Sequence, residues 1–260
     1  MSQGGRGSIL EMTTSTASED IAGLVARLDR EAIRATYQGQ NEFVHLPGCL
    51  PPSLVAALVA DVERVRPAIH RNYIPRHKKG GSVSAYTLVE HAPAIRALYQ
   101  TPAFVDFLAS VTGRRLQLCP TTDPHACALY FYTEPGDHIG FHYDTSYYRG
   151  ERFTVLVGLI ERSSSHLACQ LYRDVAGRQP VDLRLKTDPG TLVLFNGDKL
   201  WHAITPLGDG EERVSLTLEY VTDPSMSPVR RAVSNLKDAV AYFGLRTVFL
   251  GQRRAVSPGP

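Results

Sequence analysis

A histidine and an aspartate stand two positions apart in the stretch FHYDTSYYRG, which begins at residue 141. Residues i and i+2 of a β-strand point to the same face, so His142 and Asp144 can aim an imidazole and a carboxylate at one spot. A second histidine, His202, follows in the stretch GTLVLFNGDKLWHAITPL. Two histidines and one carboxylate that leave the other coordination positions open are a ligand set suited to ferrous iron. The pattern therefore predicts an iron site at these three residues.

The stretch ERVSLTLEYV alternates polar and apolar residues, which is the pattern of a strand with one face toward a core. Its polar face carries Arg213, Ser215, Thr217 and Glu219. The guanidinium of Arg213 can grip a carboxylate through two parallel hydrogen bonds, and the Ser215 hydroxyl can add another. Thr217 and Glu219 lie further along this face, where they can meet a substrate, and Glu219 would suit an ammonium group.

The elements that must position these residues change in character near residue 115. Before it, apolar residues at helical spacing predict several helices. After it, the segments are short, β-branched or aromatic, and separated by turn residues. Strands without intervening helices are typical of a sandwich or a barrel. The sequence thus predicts an α+β fold built around one β-barrel, with N-terminal helices and a C-terminal helix packed outside.

We expect one domain, at 18–260, after a disordered tail at 1–17 that is rich in glycine, serine and threonine. The parts of this domain are a mainly helical region at 18–114, the β-barrel at 115–222, and a C-terminal helix and tail at 223–260.

Composition limits the class of partner. The formal charge of +2 is too small to argue for nucleic acid or an anionic membrane surface. No apolar run approaches the roughly 18 residues that a membrane helix needs, and the N-terminus lacks the pattern of a signal peptide. None of the four cysteines forms a C-x-x-C pair. We therefore expect a cytoplasmic protein with a small-molecule substrate, no nucleic acid and no membrane, and the sequence leaves a homodimer through the helical elements open.

Three motifs occur in order: H-x-D, a later histidine behind the strand GTLVLF, and Arg-x-Ser on the next strand. Together they resemble the iron(II)/2-oxoglutarate-dependent dioxygenase superfamily over roughly residues 115–222. The resemblance implies a double-stranded β-helix of the jelly-roll or cupin-like kind. It also implies that Fe(II), 2-oxoglutarate and O2 together oxidise a substrate, with release of succinate and CO2.

The resemblance also implies roles for individual residues. His142, Asp144 and His202 would bind iron, while Arg213 and Ser215 would hold the distal carboxylate of 2-oxoglutarate. Tyr130 and Tyr132 share a face of the strand that leads to the iron motif. One of them can hydrogen-bond 2-oxoglutarate, and the alternative for both is packing in the core.

A narrower resemblance concerns the stretch ALYFYTEPGDHIGFHYDTSYYRGERFTVLVGLIERSS. It is similar to the group that oxidises amino acids not tethered to a carrier protein, which includes free-amino-acid halogenases and N-succinyl amino acid hydroxylases. The halogenases of that group carry a small residue at the position of Asp144, which leaves room for chloride on iron. The carboxylate here instead favours hydroxylation of an unactivated C–H bond in a small amino acid or N-acyl amino acid.

A substrate with a carboxylate needs a cation near the active site. The basic, glycine-containing segment 70–86 has no clear period, so we interpret it as a substrate-side loop that offers Arg71 and Arg76. Arg149 and Arg152, just past the iron motif, compete for the same role.

Three alternatives stay open at this stage. The same superfamily chemistry could act on another small molecule or on a protein side chain. A cupin-like metalloprotein would use the metal without 2-oxoglutarate. A non-catalytic barrel could bind a small carboxylate without oxygen chemistry, because a fold alone does not fix a function.

Overall fold

The structure is a computed structural model that describes residues 17–227, 230 and 242–244. The predicted tail lies outside the described residues apart from Ala17, and so does most of the predicted C-terminal helix. Helices dominate the first part of the described chain, as predicted. Their bounds are α1 (17–27), α2 (Arg30–Gly39), α3 (Pro52–Val65), α4 (Ala85–His91), α5 (Pro93–Gln100) and α6 (Pro102–Thr112), with a 3₁₀ turn at Arg66–Ala68.

Local sequence signals explain where these helices begin and end. The Asp29 side chain caps α2 by accepting a hydrogen bond from the backbone N–H of Ala32 at 3.0 Å. Proline occupies the first turn of α3, α5 and α6, where its missing N–H costs no helical hydrogen bond. Gly113 ends α6 with φ +68°, a conformation that glycine adopts without strain. No helix of the described residues is long and apolar enough to cross a membrane.

The strands of the described residues are β1 (Phe43–Leu46), β2 (His70–Ile74), β3 (Lys78–Val83), β4 (Gln117–Leu118), β5 (Cys127–Tyr132), β6 (His138–His142), β7 (Arg152–Arg162), β8 (Leu167–Leu171), β9 (Val181–Leu185), β10 (Leu192–Asn196), β11 (Trp201–Ile204) and β12 (Glu212–Val221). They form one curled, antiparallel, 12-stranded sheet in the order β1-β10-β7-β12-β5-β3-β6-β11-β8-β9, with β2 paired to β3 and β4 to β12.

The large hydrophobic core lies between the helices and one face of this sheet. Val214, Leu216, Leu218 and Tyr220 of β12 pack into it, each 0% exposed. The opposite face of β12 carries Ser215, Thr217 and Glu219, which line a cavity inside the curl of the sheet. The predicted division of this strand into an apolar face and a polar face is therefore confirmed.

The prediction of a loop at 70–86 was wrong, because β2 and β3 form an antiparallel hairpin there. Strand β3 also pairs with β5 and β6 and so joins the two halves of the sheet. The glycines that suggested a loop permit close packing: a Cβ on Gly81 would lie 2.5 Å from Ile69 Cγ2. The backbone of this segment forms strand hydrogen bonds, although its sequence lacks the alternation of polar and apolar residues that identifies a strand.

Strand β1 was also missed. It lies between two helices in the sequence but pairs antiparallel with β10, which is nearly 150 residues away. A strand of four residues shows too little alternation to stand out, and its partner is decided by long-range packing.

Candidate active site

The three predicted metal ligands come together where β6 and β11 pair. His142, the last residue of β6, is the register partner of His202 on β11. Asp144 follows two residues after the end of β6, with Oδ1 3.4 Å from His142 Nε2 and Oδ2 3.8 Å from His202 Nε2. One ligand atom from each residue lies within 4.8 Å of the others, close enough to share a metal ion. Asp144 reaches this position from a loop and not from the strand.

Hydrogen bonds orient both imidazoles toward this centre. His142 Nδ1 lies 2.8 Å from the carbonyl oxygen of Gly140, and His202 Nδ1 lies 3.1 Å from that of Leu200. A carbonyl oxygen only accepts, so each Nδ1 carries the proton and each Nε2 presents its lone pair to the other ligands.

The protonation states also suit a metal ion. Burial, and then the charge of His142, lower the pKa of His202 to about 4, so its imidazole is neutral at neutral pH. Burial raises the pKa of Asp144. The positive charges that His202 and His142 carry when protonated outweigh burial and hold the pKa of Asp144 below its ordinary value. A neutral imidazole and an ionised carboxylate are the forms that bind metal.

Gly197, in the turn between β10 and β11, allows the Asp144 loop to approach. A Cβ at position 197 would lie 2.5 Å from the Asp144 carbonyl oxygen and 2.9 Å from its Cβ. Both contacts are shorter than Cβ atoms tolerate, so any side chain here must displace the loop.

Gly197→Ala is therefore expected to weaken Fe(II) binding by about tenfold or more, the loss found when groups that orient ligands are removed. Calorimetric titration under anaerobic conditions measures this. Gly39→Ala is the control, because Gly39, like Gly197, has no positive φ, and a Cβ there meets nothing within 4 Å. An unchanged affinity in Gly197→Ala would contradict the assigned role of the close approach.

The metal ligands open onto the cavity inside the sheet. The residues that line it are His125, Tyr130, Tyr132, Ile139, His142, Asp144, Arg152, Leu156, His202, Ile204, Ser215, Thr217, Glu219 and Tyr242. Most of the residues predicted to bind the co-substrate or the substrate thus line the same cavity as the metal ligands.

Two buried polar atoms on this side of the fold have no hydrogen-bond partner among the described residues: Ser215 Oγ and Arg213 Nε. The Arg213 side chain is 0% exposed, and its Nη atoms donate to Glu161 Oε2 and Thr187 Oγ1, each at 2.7 Å. Buried polar atoms are normally satisfied, so the unpaired Ser215 Oγ, which lines the cavity, fits an anionic group that would bind beside the metal. Arg213 lies outside the set of cavity-lining residues, so its predicted contact with such a group stays a prediction. The partners Glu161 and Thr187 were not foreseen from the sequence.

A second ionic pair lies in the cavity wall. Arg152 Nε donates to Glu219 Oε2 at 2.9 Å, and both residues are buried. Burial raises the pKa of Glu219 to about 7, against the opposing charge of Arg152. Thr217 also lines the wall, and its hydroxyl lies 3.4 Å from the carbonyl oxygen of Ala128.

The other three predicted substrate arginines lie outside the set of cavity-lining residues. Arg71 forms ion pairs with Asp137 at 2.7 Å and Glu134 at 2.9 Å, which fix the turn before β6. Arg76 is exposed in the tight turn between β2 and β3, with φ +63°, and Arg149 is exposed as well. The structure thus gives Arg71 a structural role and leaves the assignment of Arg76 and Arg149 as a prediction.

One wall residue comes from the C-terminal segment, which we expected to cover only an outer face. The backbone carbonyl of Tyr242 accepts hydrogen bonds from Asn72 Nδ2 at 2.8 Å and Ser82 Oγ at 2.7 Å. Its ring stacks edge-on against His125, whose Nδ1 pairs with the Tyr130 hydroxyl at 2.9 Å. No spacing in the sequence connects Tyr242 to the iron motifs, because tertiary packing alone brings it there.

Comparisons with known proteins agree with this geometry. A family model described as Halogenase D matches residues 26–149, a little less than half of the chain, and the matched range includes His142 and Asp144. None of the curated proteins matches the sequence.

Solved structures with a similar fold include 2-oxoglutarate-dependent enzymes. The epimerase SnoN in complex with Fe3+, alpha ketoglutarate and nogalamycin RO has 15% identity and a TM-score of 0.64, over 79% of this chain and 89% of that one. A Pseudomonas putida prolyl-4-hydroxylase has 17% identity and a TM-score of 0.55, over 75% of this chain and all of that one. The carbocyclase SnoK from nogalamycin biosynthesis has 15% identity and a TM-score of 0.60, over 80% and 92%. These similarities confirm the predicted double-stranded β-helix fold.

Proposed function

Since the chain has the fold of the iron(II)/2-oxoglutarate oxygenases, we propose that it is a dioxygenase that hydroxylates an unactivated C–H bond of a small amino acid or N-acyl amino acid. The observation that carries this proposal is the His142, Asp144 and His202 cluster facing a cavity that also holds the unpaired Ser215 Oγ. Ligands for a metal and a hydroxyl donor for a carboxylate line one cavity, as the chemistry requires.

Different residues of the site would bind the metal and the co-substrate. His142, Asp144 and His202 would hold Fe(II), and Ser215 with Arg213 would hold the distal carboxylate of 2-oxoglutarate. Both predicted tyrosines line the cavity beside these residues, since Tyr132 is the register partner of Arg213 and Tyr130 that of Ser215. Iron, 2-oxoglutarate and O2 together supply the oxidation, and the protein contributes orientation and the exclusion of water.

The presence of Asp144 favours hydroxylation over halogenation. A carboxylate at this position completes a ligand set of two histidines and one acid, and its Oδ1 lies 3.4 Å from His142 Nε2. A halide would need the space that this side chain occupies. The match to the Halogenase D model over residues 26–149 therefore does not make halogenation the expected reaction.

The charged part of the cavity wall suits an amino acid. Arg152 and Glu219 place a cation and an anion in a buried wall beside Tyr130 and Tyr242. A free amino acid carries the opposite charge for each of them, a carboxylate for Arg152 and an ammonium group for Glu219. An N-acyl amino acid would use Arg152 and leave Glu219 without an ionic partner from the substrate.

An anaerobic titration with Fe(II) and 2-oxoglutarate tests the proposal first. We expect the weak visible absorption band of the metal–keto acid chelate to appear with saturable dependence on 2-oxoglutarate. Iron binding without this band would support the cupin-like alternative, and absence of both would contradict the proposed function.

A screen for succinate production then separates the substrate classes. Free amino acids, N-acyl amino acids and a proline-containing peptide are each supplied with O2, and Glu219→Gln is the matched variant. A free amino acid substrate should lose about tenfold or more in kcat/KM in this variant, since a charge-assisted hydrogen bond is worth roughly 1.5–3 kcal/mol. An N-acyl amino acid should be nearly unaffected. Turnover with the peptide alone would contradict the small-molecule assignment.

A further inference from the structure

Asp144 is held by a residue that neither the metal motif nor the co-substrate site includes. The Thr154 hydroxyl donates a hydrogen bond to Asp144 Oδ2 at 3.0 Å and lies 2.9 Å from Glu219 Oε2. Thr154 is 1% exposed, so water does not compete for these contacts. The hydroxyl therefore connects the loop that carries a metal ligand with the ionic pair of the cavity wall.

The position of Thr154 is rigid, whereas that of Asp144 is not set by secondary structure. Thr154 lies on β7 between β10 and β12, where its register partners are Phe195 and Glu219. A β-branched side chain on a central strand has few rotamers. Asp144 lies in the irregular segment after β6, so a fixed donor on a neighbouring strand can decide which way its carboxylate points.

The charges favour donation to Asp144. A hydroxyl has one proton and can donate to only one of the two carboxylates at a time. Glu219 Oε2 already accepts from Arg152 Nε at 2.9 Å, whereas Asp144 Oδ2 has no cation at hydrogen-bond distance among the described residues. The Arg152–Glu219 pair thus satisfies Glu219 and leaves the Thr154 proton to Asp144.

We propose that Thr154 is the positioning residue of the metal centre: its hydroxyl anchors Asp144 Oδ2 and leaves Oδ1, which faces His142, to bind the ion. The inference rests on the proposed function, because it takes the three-residue cluster as the iron site. Partners that orient metal ligands typically contribute 10–100-fold to metal affinity.

The test is the affinity of purified protein for Fe(II), measured anaerobically by calorimetry without 2-oxoglutarate or substrate. Thr154→Val keeps the shape of the side chain and removes the hydroxyl, so it should weaken Fe(II) binding by about tenfold or more. Thr154→Ser restores the hydroxyl and should bind within about twofold of the wild type. Thr112→Val is the matched control, since the buried Thr112 hydroxyl bonds only to the backbone of α6 and of Arg114 just after it among the described residues.

The thermal midpoint of each metal-free variant separates positioning from simple stability. A merely structural role would lower the midpoint of Thr154→Val and leave its Fe(II) affinity at the wild-type value, which would overturn the inference. Equal Fe(II) affinity in the valine and serine variants would overturn it as well. Failure of the wild type itself to bind Fe(II) would instead remove the proposed function, on which the inference depends.

Discussion

Asp144→Ala is expected to abolish hydroxylation and to weaken Fe(II) binding by more than about 100-fold, which exceeds the loss expected for a group that only orients a ligand. Its carboxylate is the sole anion of the cluster, and it faces both His142 Nε2 and His202 Nε2 within 4 Å. Without it, two neutral imidazoles would hold a dication alone. Product formation and anaerobic Fe(II) titration measure the two effects separately.

A nearby carboxylate outside the cluster provides the control for this prediction. Asp174 is exposed and accepts a hydrogen bond from the Tyr143 hydroxyl, so Asp174→Ala removes the same charge from the same side of the protein. We expect its Fe(II) affinity and product yield to match the wild type. Hydroxylation at an undiminished rate by Asp144→Ala would show that the cluster is not the reacting centre.

Arg213→Ala is expected to have the second large effect, on both 2-oxoglutarate binding and folding. Loss of a charge-assisted hydrogen bond of roughly 1.5–3 kcal/mol should raise the dissociation constant of 2-oxoglutarate by about 10–150-fold. The substitution also leaves Glu161, 2% exposed, as an unpaired buried charge, which typically destabilises by roughly 3–5 kcal/mol. The chelate absorption band reports binding, and thermal unfolding reports stability.

Glu161→Gln distinguishes the two roles of Arg213. The amide retains a hydrogen-bond acceptor for Arg213 and removes the anion that neutralises it. If Arg213 holds the 2-oxoglutarate carboxylate, this variant should bind 2-oxoglutarate at least as tightly as the wild type, because the guanidinium charge is then uncompensated. We expect the double variant Arg213→Ala with Glu161→Gln to be more stable than Arg213→Ala but to bind 2-oxoglutarate no more tightly. If the double variant bound 2-oxoglutarate with the affinity of the wild type, Arg213 would have a role in the core alone.

The metal-ligand cluster and the two faces of β12 could be predicted from the sequence alone. His142 and Asp144 are close in the chain, so their proximity follows from local geometry, even though Asp144 sits in a loop and not on the strand as expected. The polar and apolar faces of β12 follow from the period of two, which any strand must have. Such features depend on residues that are close in sequence, so they can be predicted before the fold is known.

The side chains that surround the metal-ligand cluster and Arg213 became known from the tertiary structure alone. Glu161 and Thr187 compensate Arg213, Thr154 contacts Asp144, and Tyr242 closes the cavity, yet none of these pairings has a characteristic spacing. The hairpin at β2 and β3 was hidden for the same reason, because its glycines serve close backbone packing. Long-range strand pairing brings these residues together, and a local pattern cannot encode which distant strand will lie beside it.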